Sequence, residues 1–246
     1  MSLPVHVVPS LAGVSTGSSV EVTGDEAHHA VAVRRLRVGE SVVLTDGAGT
    51  SVTGEVGSTG KRVFSVTVGE VATAPAAEPA VVVVQALPKG DRGELAVEVL
   101  TEVGVAEIVP WAAARSVAVW KGERATKSLA KWRSTAREAA KQSRRSWFPT
   151  VGELATTAEV VSLAGAADLC VVLHEEASVP LASLEVPASG RIVVVVGPEG
   201  GLTDDEVAAF VSAGATSVRL GTEVLRTSTA GVAAVAALLS RTPRWR

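Results

Sequence analysis

The sequence predicts two folded units, a β-rich N-terminal domain and a larger α/β domain built on a parallel sheet. Three observations carry that expectation. Early in the chain, Val-rich runs alternate with turn signals, as in Ser41–Thr45, Asp46-Gly47 and Thr50–Val56, which is the pattern of a hairpin. A stretch rich in Ala and Pro, Thr73–Ala80, then breaks the rhythm. Beyond it, the unbroken apolar runs Ala80–Val84, Val105–Val109, Leu169–Leu173 and Ile192–Val196 alternate with helical patterns such as Glu94–Val103 and Asp204–Ala213. Strands that are apolar throughout are buried on both faces, which requires a parallel sheet covered by helices. The boundaries follow: a first domain over 1–72, a linker over 73–80 and a second domain over 81–246.

Of the 246 residues, 47% are hydrophobic, enough to build more than one core. Met1-Ser2-Leu3-Pro4 carries no basic leader, and no apolar run approaches the ~20 residues of a membrane span. A soluble, unexported, cytoplasmic protein with no membrane partner is expected. The lone Cys170 excludes an intrachain disulfide or a thiolate zinc cluster, and its place in Leu169–Leu173 makes it a buried thiol. Thr23 and Glu26 have the spacing of a capping box, opening a helix that runs through Leu36. Adjacent His28 and His29 point about 100° apart on such a helix, so they suit contact with RNA or a second subunit better than a metal.

Net charge is -3, which argues against a global field for a polyanion. The distribution is uneven. Between Arg115 and Arg145 lie ten basic residues against Glu123 and Glu138, a local charge of +8, and the remainder of the chain carries -11. Charge gathered in this way predicts a nucleic-acid contact through residues such as Arg133, Arg144 and Arg145, the alternative being a solvated helix face. Trp132, Trp147 and Phe148 lie in or beside the run, where they suit either base stacking or packing.

Two glycine-bearing turns follow strands. Ile192–Val196 leads into Gly197-Pro198-Glu199-Gly200-Gly201-Leu202, and Thr203 with Glu206 caps the next helix. Val218–Gly221 ends a second strand, and Leu225-Arg226-Thr227-Ser228-Thr229-Ala230 opens an apolar helix through Leu239. Neither turn is a Walker A loop or a GxGxxG fingerprint. Ligands of open α/β sheets bind at such carboxyl ends of strands, so two facing turns predict a site for a flat heterocycle. A helix apolar almost all round also predicts burial against more than one surface, including a second copy of the chain.

These turns, with Leu220-Gly221, Leu87-Pro88-Lys89-Gly90, His28-His29, Val33-Arg34-Arg35-Leu36-Arg37 and Gly39, resemble the RsmE family of 16S ribosomal RNA uracil-N3 methyltransferases nearly end to end. The resemblance implies a PUA-like β-barrel, a trefoil-knotted α/β methyltransferase domain of the SPOUT class, S-adenosyl-L-methionine as cofactor and a homodimer acting on 16S ribosomal RNA or the small subunit. It places the cofactor at Leu173, His174, Gly197, Glu199, Gly201, Leu220, Gly221, Leu225 and Thr227. RNA falls to His28, Arg34, Arg35, Arg37, Lys89, Arg133, Gln142, Arg144 and Arg145. The family pattern often has an acidic residue where Ser228 stands, and Pro-Arg in place of Thr222-Glu223.

Methylation of an imide nitrogen requires in-line placement, loss of the N3 proton and stabilisation of charge on the imide oxygens. Arg226, supported by Arg144 or Arg145, suits the last task because a guanidinium presents paired planar donors. Glu199 and His174, ahead of Glu138, are the candidate proton acceptors, and Glu199 equally suits a structural carboxylate. Two other classes compete: a non-catalytic RNA-binding or ribosome-assembly module on the same fold, and an α/β dinucleotide enzyme, which the missing fingerprint disfavours.

Overall fold

The computed structural model describes residues 3–245; Met1 and Ser2, part of the leader reading, and Arg246 lie outside the described residues. Its contacts divide the chain into two compact units. One comprises the residues up to Ala76 together with Lys141–Phe148, and the other Ala77–Ala140 with the chain from Pro149 onward. The eight residues 141–148, which the sequence assigns by continuity to the second domain, pack with the first.

In the first unit, β1 (Val5–Val7), β2 (Ser19–Thr23), β3 (Ser41–Thr45), β4 (Thr50–Thr59) and β5 (Val63–Thr73) form one sheet in the order β1-β3-β4-β5-β2. Only the β1–β3 pair is parallel. Period-two alternation turns Val42 and Leu44 into a core with Val52, Val56, Phe64 and Val66. The β3–β4 hairpin forms as the sequence predicts, its turn held by Asp46, whose Oδ1 accepts from the amides of Ala48 and Thr50. Against it lie Trp147 and Phe148. A Cβ on Gly49 would come within 2.7 Å of the Trp147 ring, and one on Gly47 within 2.8 Å of Phe148. Trp147 also donates through Nε1 to the Ala74 carbonyl at 2.8 Å, so both rings are packing anchors.

The predicted helix over Ala27–Leu36 is shorter and of two kinds: α1 (Gly24–His28) runs into a π-helical turn over His29–Val33, and Arg35 then takes a left-handed φ of 58°. The expected Thr23–Glu26 capping box does not form, because Thr23 makes no side-chain cap. Glu26 turns instead to two donors: Lys141 Nζ at 3.0 Å and His6 Nδ1 at 3.3 Å. Burial alone would raise the Glu26 carboxyl, but hydrogen bonds from His6 and Lys141 and the Lys141 charge outweigh it and hold its pKa at about 2. A carboxylate can only accept, so His6 Nδ1 carries the proton of that bond.

The second unit is a seven-stranded, wholly parallel sheet in the order β10-β12-β9-β11-β6-β7-β8. Its strands are β6 (Ala80–Ala86), β7 (Glu107–Trp111), β8 (Thr150–Val151), β9 (Leu169–Leu173), β10 (Val179–Pro180), β11 (Arg191–Val196) and β12 (Thr216–Arg219). The run expected over Val105–Val109 pairs two residues later, because the Val105 amide closes on Leu100 at the end of a helix. The helices are α2 (Arg92–Glu102), α3 (Gly122–Gln142), α4 (Thr157–Gly165), α5 (Asp204–Ser212) and α6 (Thr227–Leu239). Two buried clusters cover opposite faces of the sheet, one through Val81, Val83, Val194 and α6, the other through Val82, Val84, Val193 and Phe210. Cys170 belongs to the second, and burial pushes its thiol up to about 12. Trp132 is buried on α3, edge-on to Trp120 at 5.0 Å, which removes it from base stacking.

No helix among the described residues is long and apolar enough to cross a membrane. The Glu26 carboxylate links the returning segment to the first unit, so Glu26→Gln lowers the unfolding midpoint at pH 7, by about 1–3 kcal/mol of stability, because the amide keeps one accepting oxygen but loses the negative charge and turns an NH2 group toward the other donor. The folded pKa is depressed, so this contribution is complete above the ordinary value of 4.5 and is lost as pH falls through about 2. Thermal denaturation of both proteins across that window should show the midpoints converging; a gap independent of pH would remove the ionised carboxylate from the account.

Candidate active site

Strands β12, β9 and β11 lie side by side, so their carboxyl ends release three loops on one side of the sheet. Between those loops and the start of α6 is a cleft of about 490 Å³, within the range of roughly 300–1,000 Å³ of small-molecule sites. The loop after β11 is held from several directions. Thr203 and Glu206 form the predicted capping box, and the buried Glu206 carboxylate also accepts from the Ala114 amide at 2.8 Å. Arg115 donates to the Leu202 carbonyl at 3.1 Å, while its own carbonyl packs where a Cβ on Gly200 would stand, 2.8 Å away. Gly201 turns the chain with φ +73°. The loop after β9 is tied by the His174 amide to the Val218 carbonyl at 2.9 Å.

All nine residues expected at the cofactor, Leu173, His174, Gly197, Glu199, Gly201, Leu220, Gly221, Leu225 and Thr227, line this cleft, as do Arg226 and Lys89. Arg226 is exposed at the N-cap of α6, its carbonyl accepting from the amides of Thr229 and Ala230. One oxygen of Glu199 accepts from the Lys89 amide at 3.2 Å, so this carboxylate already has a structural bond. Sequence reasoning missed Arg92, Glu175, Arg219 and Glu223, which also line the cleft. Adjacency to Lys89-Gly90, His174 and Leu220-Gly221 was the available signal for them.

Other expected site residues lie elsewhere. Arg144 and Arg145 are in the first unit, at a separate hollow of about 260 Å³ with Val5 and Val43. Gln142 is exposed in that unit, and Glu138 on α3 is not in the cleft lining. Much of the +8 segment is paired: Lys127 with Glu123, Lys131 with Glu94, Lys141 with Glu26, and Arg133 with Glu153 at 2.8 Å and the Val151 carbonyl. Arg34, Arg35 and Arg37 are exposed without an ion pair among the described residues, beside exposed His28, His29, Val33 and Val38. Ser228 is buried, and its hydroxyl has no hydrogen-bond partner among the described residues.

A parallel sheet with a cleft at its strand ends, following a mixed β unit, fits the two domains of an RNA methyltransferase, and the known families assign that class. The RNA methyltransferase domain family matches residues 76–239, and the RNA methyltransferase PUA domain family residues 22–68. Ribosomal RNA small subunit methyltransferase E of Mycobacterium bovis is 45% identical over 94% of this chain and 89% of its own length. Its Bacillus subtilis counterpart is 31% identical over 93% of each chain. The crystal structure of the Neisseria gonorrhoeae enzyme of that name, bound to S-adenosyl methionine, superposes with a TM-score of 0.86 at 29% identity, covering 97% of this chain and 98% of that one. The chain belongs to the ribosomal RNA small subunit methyltransferase E family.

Proposed function

We propose that this chain transfers a methyl group from S-adenosyl-L-methionine to N3 of a uridine in 16S ribosomal RNA, as a cytoplasmic homodimer acting on the small subunit or its RNA. The observation that carries the reading is the convergence of all nine expected cofactor residues on one cleft at the ends of parallel strands. The cleft suits that cofactor. Leu173, Val196, Leu220 and Ala230 give an apolar wall for a heterocycle, and Gly197, Gly201 and Gly221 permit close backbone approach. Glu175, Glu199 and Glu223 supply negative charge for a ligand carrying an ammonium and a sulfonium. When bound, the cofactor supplies an electrophilic methyl group.

Uridine N3 attacks as it loses its proton, and the charge spreads onto the two flanking carbonyl oxygens. Arg226, at the rim, presents its fork of donors to those oxygens. Glu199 and His174 remain the candidate proton acceptors, both lining the cleft, whereas Glu138 is not part of it. RNA is drawn to the first unit by Arg34, Arg35 and Arg37, whose guanidinium groups are not spent on carboxylates among the described residues. The trefoil knot belongs to this reading, supported by a sheet order in which β11 lies between β9 and β6. The apolar surface of α6 is largely covered within its own chain by α2, β6 and β11, so the homodimer rests instead on exposed Val224 and Leu225 at the cleft rim.

Nucleoside mass spectrometry of small-subunit RNA treated with the protein and labelled cofactor tests the reading: 3-methyluridine supports it, and label at any other position contradicts it. Gly201→Val and Arg226→Ala should fail differently. Valine at φ +73° is strained, so calorimetry should show cofactor binding lost with RNA binding retained. Arg226→Ala should keep cofactor affinity within a few-fold and cut single-turnover methylation about 10²-fold or more, with Lys restoring only part. Loss of cofactor binding by Arg226→Ala would assign the residue to the cofactor wall. Reversal of Arg34, Arg35 and Arg37 to Glu should weaken RNA binding and flatten the slope of log K against log salt by about 2, at ~0.7 per phosphate. An unchanged slope would place the RNA elsewhere.

A further inference from the structure

Gln85 breaks the run Val81-Val82-Val83-Val84 at the carboxyl end of β6, where it is 1% exposed. Its register partners are Val196 on β11 and Pro110 on β7, so it sits in the middle of a sheet covered on both faces. A strand in that position calls for another apolar side chain, because a buried carboxamide lowers stability unless its hydrogen bonds are all made. They are not: Oε1 is buried without a partner. The Nε2 end donates to the Ala86 carbonyl at 3.1 Å and to the Thr227 carbonyl at 3.3 Å. Both partners are acceptors, which fixes the orientation of the amide.

The second bond reaches the first turn of α6, where Arg226, Thr227 and Ala230 line the cleft. Gly231, in the next turn, allows the helix to sit close to the sheet. A Cβ there would lie 3.2 Å from Leu100, 3.3 Å from Val196 and 3.7 Å from Gln85 Oε1. Resting on the function proposed above, we infer that Gln85 is a positioning residue for the methyl transfer. It ties the Thr227 carbonyl to β6 and so sets where Arg226 stands at the edge of the cleft, without touching substrate or cofactor itself.

Gln85→Met tests this, since Met keeps the length of the side chain while removing both the tether and the orphaned acceptor. Three readouts on one preparation are needed. The unfolding midpoint should be unchanged or higher. Hydrogen exchange in a peptide spanning 225–231, measured without added cofactor, should become several-fold faster. Single-turnover methylation should fall about 10-fold or more, the scale of a small displacement at a reacting centre, while cofactor affinity stays within a few-fold. A midpoint that falls together with the rate would make Gln85 structural, and unchanged exchange and rate would leave it no role; either result overturns the inference. A wild-type chain that never methylates RNA would overturn the proposed function alone, because exchange in this turn still decides the tether.

Discussion

Six consecutive residues of β11 pair with β6 along one edge, and five of them pair with β9 along the other. The second unit depends on this double pairing. It lays the carboxyl ends of β9, β11 and β12 side by side, so loops distant in sequence leave the sheet in one direction and their backbone groups converge. The remaining features stabilise that convergence. Glu206 serves two clients, capping α5 and holding the Ala114 amide, and so fixes the far side of the Gly197–Leu202 turn. α6 packs against β6, β11 and α2 closely enough that a Cβ on Gly231 would stand 3.2 Å from Leu100 and 3.3 Å from Val196. The cleft is therefore a consequence of register and helix packing more than of any single contact at its wall.

The first unit is organised by a different constraint. Its hairpin turn presents Gly47 and Gly49 to the rings of Phe148 and Trp147, which lie far later in the chain, and its Glu26 accepts from His6 and from Lys141 of that same returning segment. A half-buried carboxylate between His6 and Lys141 stabilises only while both partners are present. Severing 141–148 from the first unit would leave Glu26 with one donor and strip Trp147 and Phe148 from the hairpin. Domain boundaries drawn along the sequence miss this because continuity of chain is a poor guide to which residues share a core.

Much of the fold was legible where local chemistry decides the outcome. The β3–β4 hairpin, the buried strands β6, β9 and β11, and the Thr203–Glu206 box follow from spacing alone. Thr23 and Glu26 have the same spacing and fail, since a distant lysine competes for the carboxylate. The cleft residues were readable through the glycine turns and family motifs, whereas Arg92, Arg219 and the tether of Gln85 depend on which strand ends become neighbours. Charge was the least legible property. A count of +8 between Arg115 and Arg145 does not reveal that Glu94, Glu153 and Glu26 take up Lys131, Arg133 and Lys141. Arg34, Arg35 and Arg37, which form no ion pair among the described residues, stood in a shorter, less conspicuous run.

The central claim is that one cofactor sits among the loops after β9, β11 and β12 and against the first turn of α6. Hydrogen exchange of the full chain with and without S-adenosylhomocysteine, an analogue lacking the methyl group, tests it most directly. The account predicts slowed exchange confined to peptides covering 173–175, 197–202 and 219–230, with the sheet of the first unit unchanged. Protection absent from the 197–202 turn, or concentrated in the first unit, would contradict it.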